Sequence, residues 1–170
     1  MRRTTLIPIT TAALLAVAAV AILGTPTVAS NKSKAKMMSG YEEVPPVDTA
    51  AEGEFRATVN GDGEDATIDY ELTYTSPESP AQAAHIHFGQ RGVNGGVVAF
   101  LCGGGDKPPC PATGGTVTGV IDAADVIGPA VQGIAAGEIQ ALIDAMREGV
   151  TYANVHTEAR PGGEIRGQIK

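Results

Sequence analysis

The sequence has no tryptophan, and aromatic residues are 4% of its 170 residues, so it lacks the stacking platforms that grip bases or sugars. It is also short of positive charge, with Lys+Arg at 12 against Asp+Glu at 19. A nucleic-acid binder needs a basic patch to neutralise phosphates, and this balance argues against one. Cysteine occurs twice and histidine three times, so apart from methionine the soft metal donors are confined to a handful of positions. No internal repeat and no second-domain boundary are visible, and the length suits one ordinary domain. Gly 22 and Pro 11 make about a fifth of the chain, which is turn-rich but short of a disordered composition.

The first thirty residues read as an address. Arg2 and Arg3 form a basic start, and Leu6 to Leu23 is apolar and uncharged apart from Pro8 and two threonines. Small residues at Thr27 and Ala29 occupy the −3 and −1 positions for cleavage after Ala29. A signal peptide is therefore expected over 1–29, the alternative being a retained membrane anchor, since an uncut run of this length can span a bilayer. Its removal leaves 10 basic residues against 19 acidic ones, a net −9 that suits a self-repelling exported protein. Residues 30–38 read as a flexible polar leader, and 39–170 as the folded domain.

Beyond Gly40 the dominant period is two. Phe55, Ala57 and Val59 alternate with Arg56 and Thr58; Ile68, Tyr70, Leu72 and Tyr74 alternate with Asp69, Glu71 and Thr73. Asn60-Gly61-Asp62-Gly63 between them is a hairpin signal. Further strands are expected at Ala84–Phe88, Gly96–Leu101, Thr116–Ile121, Val150–Thr157 and Glu164–Ile169. The fold class is all-β: an antiparallel sandwich or Greek-key barrel of seven or eight short strands. One stretch breaks the period. Ile139, Leu142, Ile143 and Met146 fall at i, i+3, i+4, i+7 with Gly149 beyond, which predicts one amphipathic helix covering an open end or an edge. Asp122 to Val126 is expected to add a single turn.

Cys102 and Cys110 bracket a Gly-rich, Pro-stiffened loop, and in an exported chain such a pair reads as a local disulfide. A metal or redox pair is the alternative, but redox pairs usually have two intervening residues. His85 and His87 flank Ile86, so a strand puts both on one face. His156 lies in a separate strand. If the strands meet, His85, His87 and His156 form a three-nitrogen copper or zinc site with an open position, with Glu158 or Glu164 as orienting partners. If they do not, the three are ordinary hydrogen-bonded polar residues. Glu42-Glu43 and Asp62, Glu64 and Asp65 read as solvated turn charge. The segment Asn60 to Asp65 lacks the ligand spacing of a calcium loop. Glu164 and Arg166 share a strand face and are expected to pair with each other or across strands.

Several separated motifs carry a family resemblance. Ser39-Gly40-Tyr41-Glu42-Glu43-Val44-Pro45-Pro46-Val47 resembles the opening of a chordin-type (CHRD) domain, Ala84-His85-Ile86-His87-Phe88-Gly89 with Asn94-Gly95 its central motif, and Tyr152 to Thr157 with Pro161 to Ile169 its closing block. The resemblance implies an extracellular β-sandwich or barrel, here as a single-domain secreted microbial member. It supplies no settled biochemical activity. A narrower likeness links His85-Ile86-His87-Phe88-Gly89 to the copper-ligand strand of Cu/Zn superoxide dismutases, but the zinc-loop histidines have no counterpart, so it implies no dimetal enzyme and leaves open only a smaller, copper-only site, to which the disulfide and helix placement add no support.

The residues favour an exported binding or scaffold module with a protein, matrix or envelope partner, and no nucleic acid or membrane partner once the signal is cut. A copper- or zinc-binding protein is the alternative, and a metal-dependent redox or hydrolytic enzyme the least favoured, because no separate acid–base pair accompanies the histidines.

Overall fold

The computed structural model of the chain describes residues 31–34 and 37–170, so the signal peptide expected over 1–29 lies outside the described residues. Nine strands follow: β1 (Asn31–Lys34), β2 (Met38–Ser39), β3 (Glu52–Asn60), β4 (Thr67–Thr75), β5 (Ala81–Phe88), β6 (Gly96–Cys102), β7 (Gly114–Ile121), β8 (Thr151–Thr157) and β9 (Ile165–Ile169). One helix, α1 (Ile139–Arg147), precedes β8. The sheet order is β6-β5-β8-β9-β2-β3-β4-β7, with β1 alongside β3. Every pairing is antiparallel. The ends of the path, β6 and β7, approach each other, so the sheet curls into a nearly closed barrel. The all-β expectation holds.

The alternation read from the sequence sets the inner wall. In β3 the odd positions Phe55, Ala57 and Val59 are buried, and in β4 the even positions Ile68, Tyr70, Leu72 and Tyr74. A nine-residue register pairs the two from Glu52↔Thr75 to Asn60↔Thr67. Fully buried Leu72 and Ile68 each contribute about 1.5–3 kcal/mol relative to exposure. Tyr70 crosses the interior and donates its hydroxyl to the Leu101 carbonyl at 2.6 Å, which fastens β4 to β6.

The helix closes one end, as its pattern predicts. Ile139, Leu142, Ile143 and Met146 are buried. It docks on the β3–β4 turn, where Gln140 accepts the Gly63 N–H at 2.8 Å. It stops at Gly149, whose φ of 68° is left-handed. The Gly149 N–H bonds the Met146 carbonyl and the Val150 N–H reaches back to Ala145, the paired bonds of a Schellman end. The expected turn after Asp122 is present over Ala123–Asp125, held by a capping box between Asp122 and Asp125. The segment beyond it covers the free edge of β6, with the Ile127 N–H on the Val98 carbonyl at 2.9 Å.

The leader needs revision. Asn31–Lys34 runs as a strand on β3, from Asn31↔Val59 to Lys34↔Arg56. Met38 is fully buried in the core, so the folded unit begins before residue 39. The disulfide forms as expected, joining Cys102 and Cys110 with their Cα atoms 5.0 Å apart.

Candidate metal centre

Period two assigns each residue of β8 and β9 to a face. Ala153, Val155, Ile165 and Ile169 point into the core, while Tyr152, Asn154, His156, Arg166 and Gln168 lie on the outer face. His85 and His87 share that outer face on β5, because Ala84 and Ile86 face the core. The register sets His85 opposite Asn154, and His87 opposite Tyr152. This outer face is nevertheless covered: Tyr152, Asn154, Arg166 and Gln168 are all buried beneath loops.

The three histidines meet there. Ring centroids are 4.8 Å apart for His85–His156, 5.5 Å for His85–His87 and 5.7 Å for His87–His156. One nitrogen from each ring lies within 4.8 Å of the others. Two rings have their tautomers fixed. A backbone carbonyl can only accept, so His87 Nδ1 donates to Gly95 at 3.0 Å and His156 Nδ1 donates to Pro161 at 3.1 Å. That leaves the Nε2 lone pairs of His87 and His156 free, and both atoms are buried without a partner, as is His85 Nδ1.

Burial lowers all three basicities. His85 falls to about 3, through desolvation and then the neighbouring histidines. His87 falls to about 4, with desolvation again first and only partly offset by the Gly95 bond. His156 is lowered by the same desolvation. All three imidazoles are therefore neutral donors at neutral pH. Unpartnered buried polar atoms are costly, and three of the four such side-chain atoms among the described residues belong to this one cluster, the fourth being Thr151 Oγ1. A cation placed among them would give all three a partner at once. Metal–imidazole bonds of about 2.0–2.1 Å need the rings to draw together by about an ångström.

The surroundings hold the rings. Phe100 packs edge-on against His85 at 4.6 Å, and Tyr152 stacks on His87 at 4.7 Å with ring planes 2° apart. The Arg166 guanidinium lies 3.4 Å from the Tyr152 ring centroid. Arg166 bonds the Asn94 side chain and the Gln90 and Val93 carbonyls, all neutral acceptors. Gly95 is required where it stands, because a Cβ there would lie 1.8 Å from the Phe88 carbonyl oxygen. Moving it would withdraw the carbonyl that orients His87.

Three expectations are corrected. Glu43 is not solvated: it is 6% exposed and accepts from Asn154 Nδ2 at 2.6 Å. Burial pushes its carboxyl up to about 7, against the Asn154 bond and the Arg166 charge. Glu158 and Glu164 do not orient the histidines. Glu158 accepts from Gln82, and Glu164 from Thr49, Thr157 and the Glu78 N–H, while backbone carbonyls hold the imidazoles of His87 and His156. Arg166 forms no ion pair with Glu164, because the guanidinium turns to the loop after β5. Asn154, Arg166 and Tyr152 were missed as a set around the histidines. The usable signal was the period-two series Tyr152, Asn154, His156, which is polar along one face of an otherwise apolar strand.

The model of the CHRD domain family matches residues 35–169. The chain belongs to that family, and the match spans all three histidines and the Glu43–Asn154–Arg166 network. No curated protein and no solved structure matches the chain.

Proposed function

We propose that this CHRD domain is an exported metal-binding module in which His85, His87 and His156 hold copper or zinc. The observation that carries this reading is the convergence of three neutral imidazoles, each with a buried ring nitrogen lacking a partner, on the covered outer face of β5 and β8. The carbonyl bonds to His87 and His156 do what metal sites require of their surroundings: they fix the tautomer and aim the free lone pair. Neutral nitrogen donors suit copper and zinc better than magnesium or calcium, which take oxygen.

Export is supported by the disulfide, since such bonds persist in oxidising compartments. Family membership fits the same placement. No helix among the described residues is long and apolar enough to cross a membrane. A scaffold role toward a protein, matrix or envelope partner is compatible with the metal site, which lies beneath loops and leaves the opposite wall free.

Calorimetric titration of the purified protein with Cu²⁺ and Zn²⁺, beside His85→Ala, His87→Ala and His156→Ala, tests the reading. Each substitution removes a donor and is expected to weaken binding by at least about 100-fold, since loss of an orienting partner alone costs about 10- to 100-fold. Equal, weak binding by all four folded proteins would overturn it.

A further inference from the structure

We infer that the three-histidine site prefers monovalent copper to divalent copper, an inference that rests on the metal-site reading above. The donor set carries no negative charge. The cluster contains three imidazoles, and among the described residues no carboxylate or thiolate joins it. Both cysteines are consumed by the disulfide. The charge of a bound ion is therefore not neutralised by its ligands.

The surroundings add a fixed cation and little to balance it. Arg166 is 2% exposed and has no carboxylate within ion-pair distance among the described residues. Its guanidinium sits 3.4 Å from the Tyr152 ring, and that ring stacks 4.7 Å from His87. A full positive charge thus lies one aromatic ring away from a ligand. The acid reached through Asn154 is Glu43, whose carboxyl burial pushes up to about 7, so it offsets only part of the Arg166 charge at neutral pH. Coulomb repulsion from Arg166 acts twice as strongly on a divalent ion as on a monovalent one, and the desolvation penalty rises faster still with charge. Monovalent copper is also satisfied by three nitrogens, whereas divalent copper seeks further ligands, and among the described residues no carboxylate or thiolate stands in the cluster to provide one. Each effect favours the reduced ion.

The test is an anaerobic competition of the purified protein for Cu(I) and for Cu(II) against chelators of known affinity, with potentiometry of the copper-loaded protein. Cu(I) is expected to bind at least tenfold more tightly, which places the midpoint at least 59 mV above that of aqueous copper. Equal or tighter binding of Cu(II) would overturn the preference and leave the metal site standing. Failure of Cu(I), Cu(II) and Zn(II) alike would overturn the site itself and the preference with it. Arg166→Gln is expected to lower the midpoint, and Arg166→Lys to retain it. An unchanged midpoint in folded Arg166→Gln would remove the guanidinium as the cause. If neither variant folds, the wild-type competition decides alone.

Discussion

The two walls of the barrel treat their outer faces differently. On β3 and β4 the outward side chains are charged and wet: Arg56 pairs with Glu54 at 2.8 Å and with Glu71 at 3.6 Å, all well exposed. On β5, β8 and β9 the outward His87, Tyr152, Asn154, Arg166 and Gln168 are buried and His85 and His156 half-buried, and their hydrogen bonds run to backbone groups, amides and the Glu43 carboxylate rather than to ion-pair partners. The same strand geometry therefore yields a solvated surface on one side and a covered polar layer on the other. The difference lies in the loops. The segments around Glu43, Gln90 to Gly95 and Pro161 fold over the second wall and supply its hydrogen-bond partners. Exposed pairs contribute little to stability, whereas a covered polar network is expensive to break.

Matched substitutions at two arginines sharpen that contrast most. Arg166→Met strips three acceptors of their donor in a buried setting, and chemical denaturation should show a loss of about 3–5 kcal/mol. Arg56→Met on the wet wall should change stability by less than about 0.5 kcal/mol. Similar losses at both positions would mean that the covered layer has no special cost.

Next in size is the staple at the outer end of the site wall. Replacing Cys102 and Cys110 by serine frees a short loop and should cost about 2–3 kcal/mol on the chain-entropy account. Hydrogen exchange should quicken first in β6 and β5, while β3 and β4 keep their protection. Uniform quickening would show that the walls loosen together.

The smallest effect is the pH dependence, and it belongs to the covered wall. His85 and His87 fall to about 3 and about 4 when folded, so below their unfolded value near 6.5 the unfolded chain binds protons that the folded chain refuses. Their contribution makes stability fall as pH drops from about 6.5 toward 4. Glu43 acts in the opposite sense: with its folded value near 7, it adds stability at low pH that is lost as pH rises through that value. The denaturation midpoint of the metal-free protein should thus decline between pH 7 and pH 5, and Glu43→Gln should steepen the decline. A midpoint that rises on acidification would contradict the burial of neutral imidazoles.

Much of this was legible in the chain. Phe55 to Val59 and Ile68 to Tyr74 announce half-buried strands because solvent wets their other face, so polarity alternates cleanly. The helix, the disulfide and the shared face of His85 and His87 were readable for similarly local reasons, whereas the approach of His156 depends on the pairing of β5 with β8, which the sequence left open. The covered wall was harder. Glu43 stands beside another glutamate and just before two prolines, a context that reads as a wet turn, and its burial depends on Asn154, 111 residues away. Arg166 looked like half of an ion pair, but its partners are loop carbonyls and an amide 72 to 76 residues earlier. Nothing local marks a carbonyl as an arginine acceptor or as the group that orients a histidine. Such partners are set by where loops fold back, which periodicity does not encode.

The central claim is that three imidazoles grip one ion. X-ray absorption on the zinc-loaded protein measures it most directly. The account predicts three nitrogen donors at about 2.0–2.1 Å with the outer scattering of imidazole rings. An oxygen-dominated shell with one histidine or none would contradict it.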